Sequence, residues 1–242
     1  RKADFSETQI GIPMPPARTL LRFAVLWAVP MGLVVLLRDL GLLLLLNTVL
    51  VIMLYAVSRK PGYLVVGSLG VLLSGLAVGA VSAHARARFD VWLDPFADPT
   101  GRGWQILQGL SAMYAGGLWG AGIGAGAPQS IPIVSSDFIY AALAEELGII
   151  ACVLLALVFA TLAWRGWAIA AQARGPFGLL LGVGLTAVLA VQALLNVGGV
   201  VKAIPMTGIP LPFVSQGGSS LVAALVMVGL LAAISDGRKG GT

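Results

Sequence analysis

Long apolar runs separated by short polar seams dominate the chain. Six of them, near 20–37, 40–57, 62–82, 137–163, 176–196 and 219–235, are long enough to cross a bilayer, since a spanning helix needs about 20 apolar residues. Helices are the predicted form, because lipid offers no partner to an unpaired backbone group. The first two runs are separated only by RDLG, Arg38 to Gly41, which predicts a tight helical hairpin. Two seams are long. The first, 83–136, carries Trp92, Phe96, Trp104, Tyr114 and Trp119, aromatics that favour a membrane interface. Within it QILQGLSAMYAGGLWGAGIG, 105–124, predicts a short interfacial or re-entrant helix followed by a glycine-rich turn. The second, 198–218, holds Pro205, Pro210 and Pro212, which exclude regular helix. It is too apolar for an exposed loop and is expected to fold back into the protein and line a cavity, with Ser219 or Ser220 capping the last helix. The predicted class is an all-α polytopic membrane protein, one membrane domain over 1–242.

Composition agrees with that pattern. The chain is 58% hydrophobic and 10% charged, with mean hydropathy +0.96, whereas soluble domains carry about 25% charged residues. The single cysteine, Cys152, lies in an apolar run and excludes an internal disulfide. The net charge of +5 is assigned to cytoplasmic loops and anionic lipid rather than to nucleic acid. With six spans both ends share one side. Ten of the 15 Lys and Arg residues fall there, and five, Arg38, Arg86, Arg88, Arg102 and Lys202, fall opposite. The termini are therefore expected in the cytoplasm and both long seams outside.

Into this pattern IPIVSSDFIYAALAEELG, 131–148, sets three carboxylates. Asp137 at the start of the fourth run admits two readings. One is a first-turn acid stabilised by the helix dipole by about 0.3–1 kcal/mol. The other is a general base at the membrane boundary, where the cations on its side suit a phosphate-bearing substrate that must lose a proton. On an unbroken helix Glu145 would be turned about 80° from Asp137 and Glu146 about 180°, both about 12–14 Å further in. They either face a cavity or tie helices together by hydrogen bonds, and for Glu146 the tie is expected. Arg86, Arg88 and Asp94 read as a solvated loop with an internal ion pair or as diphosphate capture by forked guanidinium groups. Asp39 is expected to cap the second helix or pair with Arg38. His84 is the single histidine, and no His/Cys/carboxylate metal cluster, Walker loop or serine triad is visible. GAGIGAGA lacks the preceding strand that a dinucleotide site needs.

Five ordered stretches resemble the SEDS family, the RodA/FtsW/SpoVE proteins of bacterial cell-wall synthesis. They are RDLG (38–41), RARFDVWLDPFADPTGRGWQILQ (86–108), GGLWGAGIG (116–124), SSDFIYAALAEELG (135–148) and NVGGVVKAIPMTGIPLPFVSQGGSS (196–220). The resemblance covers nearly the whole chain. It implies a fold of ten membrane helices of which these six match the last six, so a partial or processed chain is expected. It implies polymerisation of lipid II into glycan strands at the outer face of the bacterial cytoplasmic membrane, beside a class B penicillin-binding protein, in elongation, division or sporulation. By motif, Asp137 matches the family's essential aspartate and would take the proton of the acceptor 4-hydroxyl. Arg86, Arg88 and Lys202 would meet the departing undecaprenyl diphosphate. Gln105, Pro212, Ser215, Gly217 and Gly218 fall in stretches expected to contact substrate, and Glu145 and Asp39 are expected as cavity or structural polar groups. No cofactor is required, and a divalent cation, Mg or Mn, is compatible with a diphosphate. Two other functions fit the same family: a lipid II flippase, and a non-catalytic scaffold for the penicillin-binding protein. The sequence departs from the family where Ile133 and Ser135 replace a frequent Glu and His, and where Lys202 replaces a frequent Gly.

Overall fold

Each predicted span is a helix, and local chemistry sets most of the ends. The computed structural model describes residues 7–9, 12–14, 17–37 and 39–237. Eight α-helices form among them: α1 (Ala17–Leu37), α2 (Leu40–Ser58), α3 (Pro61–Val81), α4 (Ala83–Leu93), α5 (Trp104–Gly116), α6 (Ile139–Ala171), α7 (Gly175–Val200) and α8 (Gly218–Asp236). Two three-residue strands precede them, β1 (Glu7–Gln9) antiparallel to β2 (Ile12–Met14) with Glu7 opposite Met14. Helices α2, α3, α6, α7 and α8 are long and apolar enough to cross a membrane, and α1 contributes the apolar stretch Val25–Leu37. Arg1, Lys2, Arg38, Arg238 and Lys239, all used in the charge tally, lie outside the described residues.

Asp39 caps α2, its Oδ1 accepting from the Leu42 N–H at 2.9 Å, which satisfies one of the donors a helix start leaves open. Pro61 opens α3 at a position where its missing N–H costs nothing. Ser82 both ends α3 and caps α4, accepting from Ala85 N at 3.4 Å. The span therefore turns directly into α4, a helix that the sequence pattern does not predict. The 83–136 connection holds two α-helices rather than one, and α5 ends at Gly116, before the glycine run. Neither Ser219 nor Ser220 caps α8: that helix starts one residue earlier, with Gly217 as its N-cap and no side-chain capping bond.

Helix α7 lies among α2, α6 and α8, and α5 is laid along α6. Small residues allow the close approach of α6 and α7. A Cβ on Gly182 would meet that of Ala170 at 2.8 Å, and one on Gly166 would run into Thr186. In lipid, where apolar burial drives no association, such small contacts carry helix packing. The main buried cluster gathers Phe138, Ile131, Leu211 and Val200 around Ala141 and Ala144. It thus forms under the segment that carries Asp137.

The fourth predicted span departs most from expectation. It runs to Ala171, and Gly148 inside it has φ 81° and ψ 169°. The Tyr140 hydroxyl donates to the Cys152 carbonyl at 3.1 Å, and the Cys152 thiol approaches the Tyr140 carbonyl at 3.7 Å. Twelve residues of straight helix would separate the two by about 18 Å. Helix α6 therefore folds back at Gly148 into a short arm, 139–147, and a long arm, 149–171, of about 34 Å. The expected 12–14 Å descent from Asp137 to Glu145 and Glu146 is corrected accordingly. The two glutamates sit at the bend, and Tyr140, three residues after Asp137, lies against the first turn of the long arm.

The bend frees the N–H groups of Ile149 and Ile150 and the carbonyls of Glu145 and Glu146, which an unbroken helix would pair. The glycine-rich segment takes all four. Ile149 N donates to Gly117 O at 3.0 Å and Ile150 N to Leu118 O at 3.3 Å; Ala121 N donates to Glu145 O at 2.8 Å and Gly122 N to Glu146 O at 3.0 Å. A Cβ at Gly148 would fall 2.5 Å from the Gly120 nitrogen, so glycine is required by space as well as by φ. Replacing Gly148 with Ala is expected to cost at least the roughly 1–3 kcal/mol of a strained backbone residue. Thermal unfolding of the purified protein in detergent, read against Gly229→Ala in α8, where a Cβ meets open space, checks this.

Candidate functional site

The site grows from the turn at 131–138. Ile131 is buried and anchors it. Gln105 on α5 donates through Nε2 to the Pro132 carbonyl at 2.9 Å. Ile133 then adopts φ 53°, an unusual conformation for a β-branched residue. Its carbonyl accepts from the backbone N–H groups of Ser136 and Asp137, both at 3.3 Å.

Three successive carbonyls, those of Ser135, Ser136 and Asp137, are each held from elsewhere. Ser135 O accepts from Gln216 N at 2.7 Å. Ser136 O accepts from the Ser215 hydroxyl. Asp137 O accepts from Asn196 Nδ2 on α7 at 3.0 Å. The Ser215 oxygen also accepts from Leu211 N at 2.8 Å, and Asn196 Nδ2 also donates to Ile209 O at 2.9 Å. The proline-rich segment thus folds back into the protein as expected, with Thr207, Ile209, Leu211, Pro212 and Ser215 buried, and it clasps the Asp137 turn.

Held this way, the Asp137 side chain does not cap α6. That helix begins two residues later, with Phe138 as its N-cap and no side-chain capping bond. The carboxylate is half-buried, and its Oδ1 accepts from the Ser136 hydroxyl at 3.0 Å. Across from it stands Arg88 of α4, whose Nη1 donates to the Met206 carbonyl at 2.9 Å. Gly208, at φ 75°, lies between the two. The point where its Cβ would stand is 3.5 Å from Arg88 Nη1 and Nη2 and 3.8 Å from Asp137 Oδ2. Cation and carboxylate thus flank the same side of Gly208.

One turn along α4, Trp92 donates through Nε1 to the Lys202 carbonyl at 3.0 Å. Positions 88 and 92 share a helix face, so α4 grips the proline-rich segment at two points. Arg86 lies two residues from Arg88, about 200° around the helix. Its guanidinium turns back to the Ala80 carbonyl of α3 and is not brought to Asp137. Lys202 has φ 59°, a conformation that glycine adopts at no steric cost. Pro212 is fully buried and packs rather than presenting a surface. Gly217 and Gly218 begin α8 at the end of the segment. Asp94 and Asp98 bind their own turns, accepting from Phe96 N, and from Gly101 N and Arg102 N, each at 3.0 Å. Among the described residues, neither pairs with an arginine side chain.

The two glutamates brace the glycine-rich loop. Glu145 Oε1 accepts from Ala127 N at 3.0 Å and Glu146 Oε1 from Gly124 N at 3.3 Å. Among the described residues no group of three or more His, Cys, Asp or Glu forms that could hold a metal. Asn196, which opens the 196–220 stretch, and Trp92, read as an interfacial aromatic, were given no role at the site from the sequence. The available signal for Asn196 was an amide in a mostly apolar run, shared there with Gln192.

The chain matches the FtsW/RodA/SpoVE family, described as a cell cycle protein, over residues 5–240. It is 38% identical over 230 residues to the peptidoglycan glycosyltransferase RodA of Mycobacterium tuberculosis, covering 95% of this chain and 49% of that protein. It is 41% identical over 192 residues to the stage V sporulation protein E of Bacillus subtilis, covering 78% and 52%. Its fold is similar to a chain of the solved structure described as "Structural coordination of polymerization and crosslinking by a peptidoglycan synthase complex". The TM-score is 0.72 at 28% identity, over 90% of this chain and 61% of that one. The chain therefore belongs to the FtsW/RodA/SpoVE family and is a multi-pass membrane protein. It spans about half the length of the curated relatives it matches.

Ser215→Ala would leave the Ser136 carbonyl and the Leu211 N–H without their shared partner. A loss of about 1–3 kcal/mol is expected for unsatisfied buried groups, and denaturation of the purified variant beside wild type measures it.

Proposed function

We propose that this chain carries the catalytic aspartate of a peptidoglycan glycosyltransferase that polymerises lipid II. The observation that carries the reading is the Asp137 carboxylate itself. It is held by a clasped backbone, is not spent on helix capping, and faces Arg88 across the open side of Gly208. A half-buried carboxylate beside a fixed cation suits a reaction that removes a proton at one point and develops negative charge close by.

The step is an inverting displacement. Asp137 takes the proton of the acceptor's 4-hydroxyl, and that oxygen forms the new bond to the anomeric carbon of the lipid-linked donor. The bond from that carbon to the diphosphate oxygen breaks, and its electron pair leaves with undecaprenyl diphosphate. Arg88 meets the developing charge with forked donors. The described residues supply no dedicated metal cage, so a divalent cation would depend chiefly on substrate phosphate, as magnesium sites often do. The site is assigned to the outer membrane face with the termini in the cytoplasm, which the excess of Lys and Arg on the terminal side supports. A class B penicillin-binding protein is the proposed partner, supported by the relation to a chain of a peptidoglycan synthase complex.

Asp137→Asn is expected to lower lipid II polymerisation by about 10²–10⁴-fold, the usual contribution of a positioned base, with the folded yield unchanged. Glycan-strand formation by the purified protein with its partner measures this. Equal product from variant and wild type would remove Asp137 as the base, and transport without polymerisation would favour a flippase.

A further inference from the structure

Asn196 is 1% exposed on an apolar membrane helix, and both polar bonds of its amide nitrogen run to functional backbone. One goes to the carbonyl of Asp137 at 3.0 Å and the other to the carbonyl of Ile209 at 2.9 Å. Both partners are acceptors, so the nitrogen side of the amide must face them and its orientation is fixed. The Ile209 carbonyl ends a four-residue stretch whose start, the Met206 carbonyl, is held by Arg88 at 2.9 Å. Gly208 lies between those two anchors, in contact range of both the guanidinium and the Asp137 carboxylate. A single side chain thus fixes the backbone beneath the acid and the backbone on which the cation rests.

We infer that Asn196 is a positioning residue for the transfer reaction, setting the separation of Asp137 and Arg88 without touching substrate. This rests on the proposed role of Asp137. Ser215 and Gln216 hold the turn too, but from the proline-rich segment itself, so both sides of their contacts move together. Asn196 alone among these donors belongs to a membrane helix, and it ties the turn and the segment to one rigid frame. Displacements of about 1 Å in such a frame cost on the order of 10²-fold in rate, and they act on the chemical step more than on binding of the lipid-anchored substrate.

The test measures kcat and KM for lipid II in the natural chain carrying Asn196→Ala, and in the isosteric Asn196→Asp, which keeps the volume but loses the paired donors. Each is normalised to folded protein. The expected result is a kcat at least 10-fold lower with KM within twofold. Combination with Arg88→Ala should give a loss well short of the product of the two single losses, since both changes release the same segment. A general folding defect would multiply with Arg88→Ala instead. Wild-type kcat in either folded variant, or a fully multiplicative double variant, overturns the assignment. If neither variant folds, Asn196 is a structural clamp and the assignment is equally withdrawn. Asp137→Asn, assayed in parallel, separates the two readings. Full activity in it sinks the base, while an inactive Asp137→Asn beside an unaffected Asn196→Ala sinks the positioning role alone.

Discussion

Four backbone groups freed by the bend at Gly148 have to be paired within a largely apolar protein, and the architecture near Asp137 follows from how that is done. An unpaired N–H or carbonyl in such surroundings costs several kcal/mol. The glycine-rich segment after α5 meets the demand by running alongside the bend and exchanging four hydrogen bonds with it. That exchange explains the glycines: side chains at 116, 120 or 148 would collide with the partner backbone. It also explains why α5 is pinned along the short arm of α6, and hence why Gln105 reaches the segment leading to Asp137.

A second constraint sits one layer further out. The turn at 135–137 has its three successive carbonyls bonded from Gln216, Ser215 and Asn196. With the backbone fixed by others, the Asp137 side chain is released from the capping work that acids near helix starts usually perform. Arg88 is fixed by the same logic, since its bond to Met206 ties it to the segment that clasps the turn. Carboxylate and guanidinium are therefore set by one hydrogen-bonded unit, although their residues are 49 positions apart in the chain.

Much of this was legible in the sequence, for particular reasons. Apolarity marks membrane helices strongly, so the spans emerged within a few residues, apart from the long continuation of α6 to Ala171. Asp39 before a leucine run is a local capping signal, and three prolines in an apolar stretch announce an irregular segment that returns to the protein. Other features have no local signature. Helix α4 mixes arginine, histidine, aspartate and aromatic residues without an apolar run. Gly148 looks like any glycine in a membrane helix until the segment that pairs with its neighbours, some 30 residues earlier, is placed. Arg86 and Arg88 are indistinguishable by composition, and only helix phase separates the one that turns to Ala80 from the one that reaches Met206. Glu145 and Glu146 were misplaced for the same reason as Gly148, because a straight helix was assumed where the chain folds back.

The clasp on 135–137 also bears on biosynthesis. Its donors lie at 196, 215 and 216, downstream of the carbonyls they hold. A chain emerging from the ribosome in order inserts α6 and α7 while the Asp137 turn still lacks two of its three tethers. The Asp137 carboxylate consequently reaches this geometry only as the segment leading into α8 is delivered, so a nascent chain stalled before that point would carry the aspartate without the clasp that holds its turn.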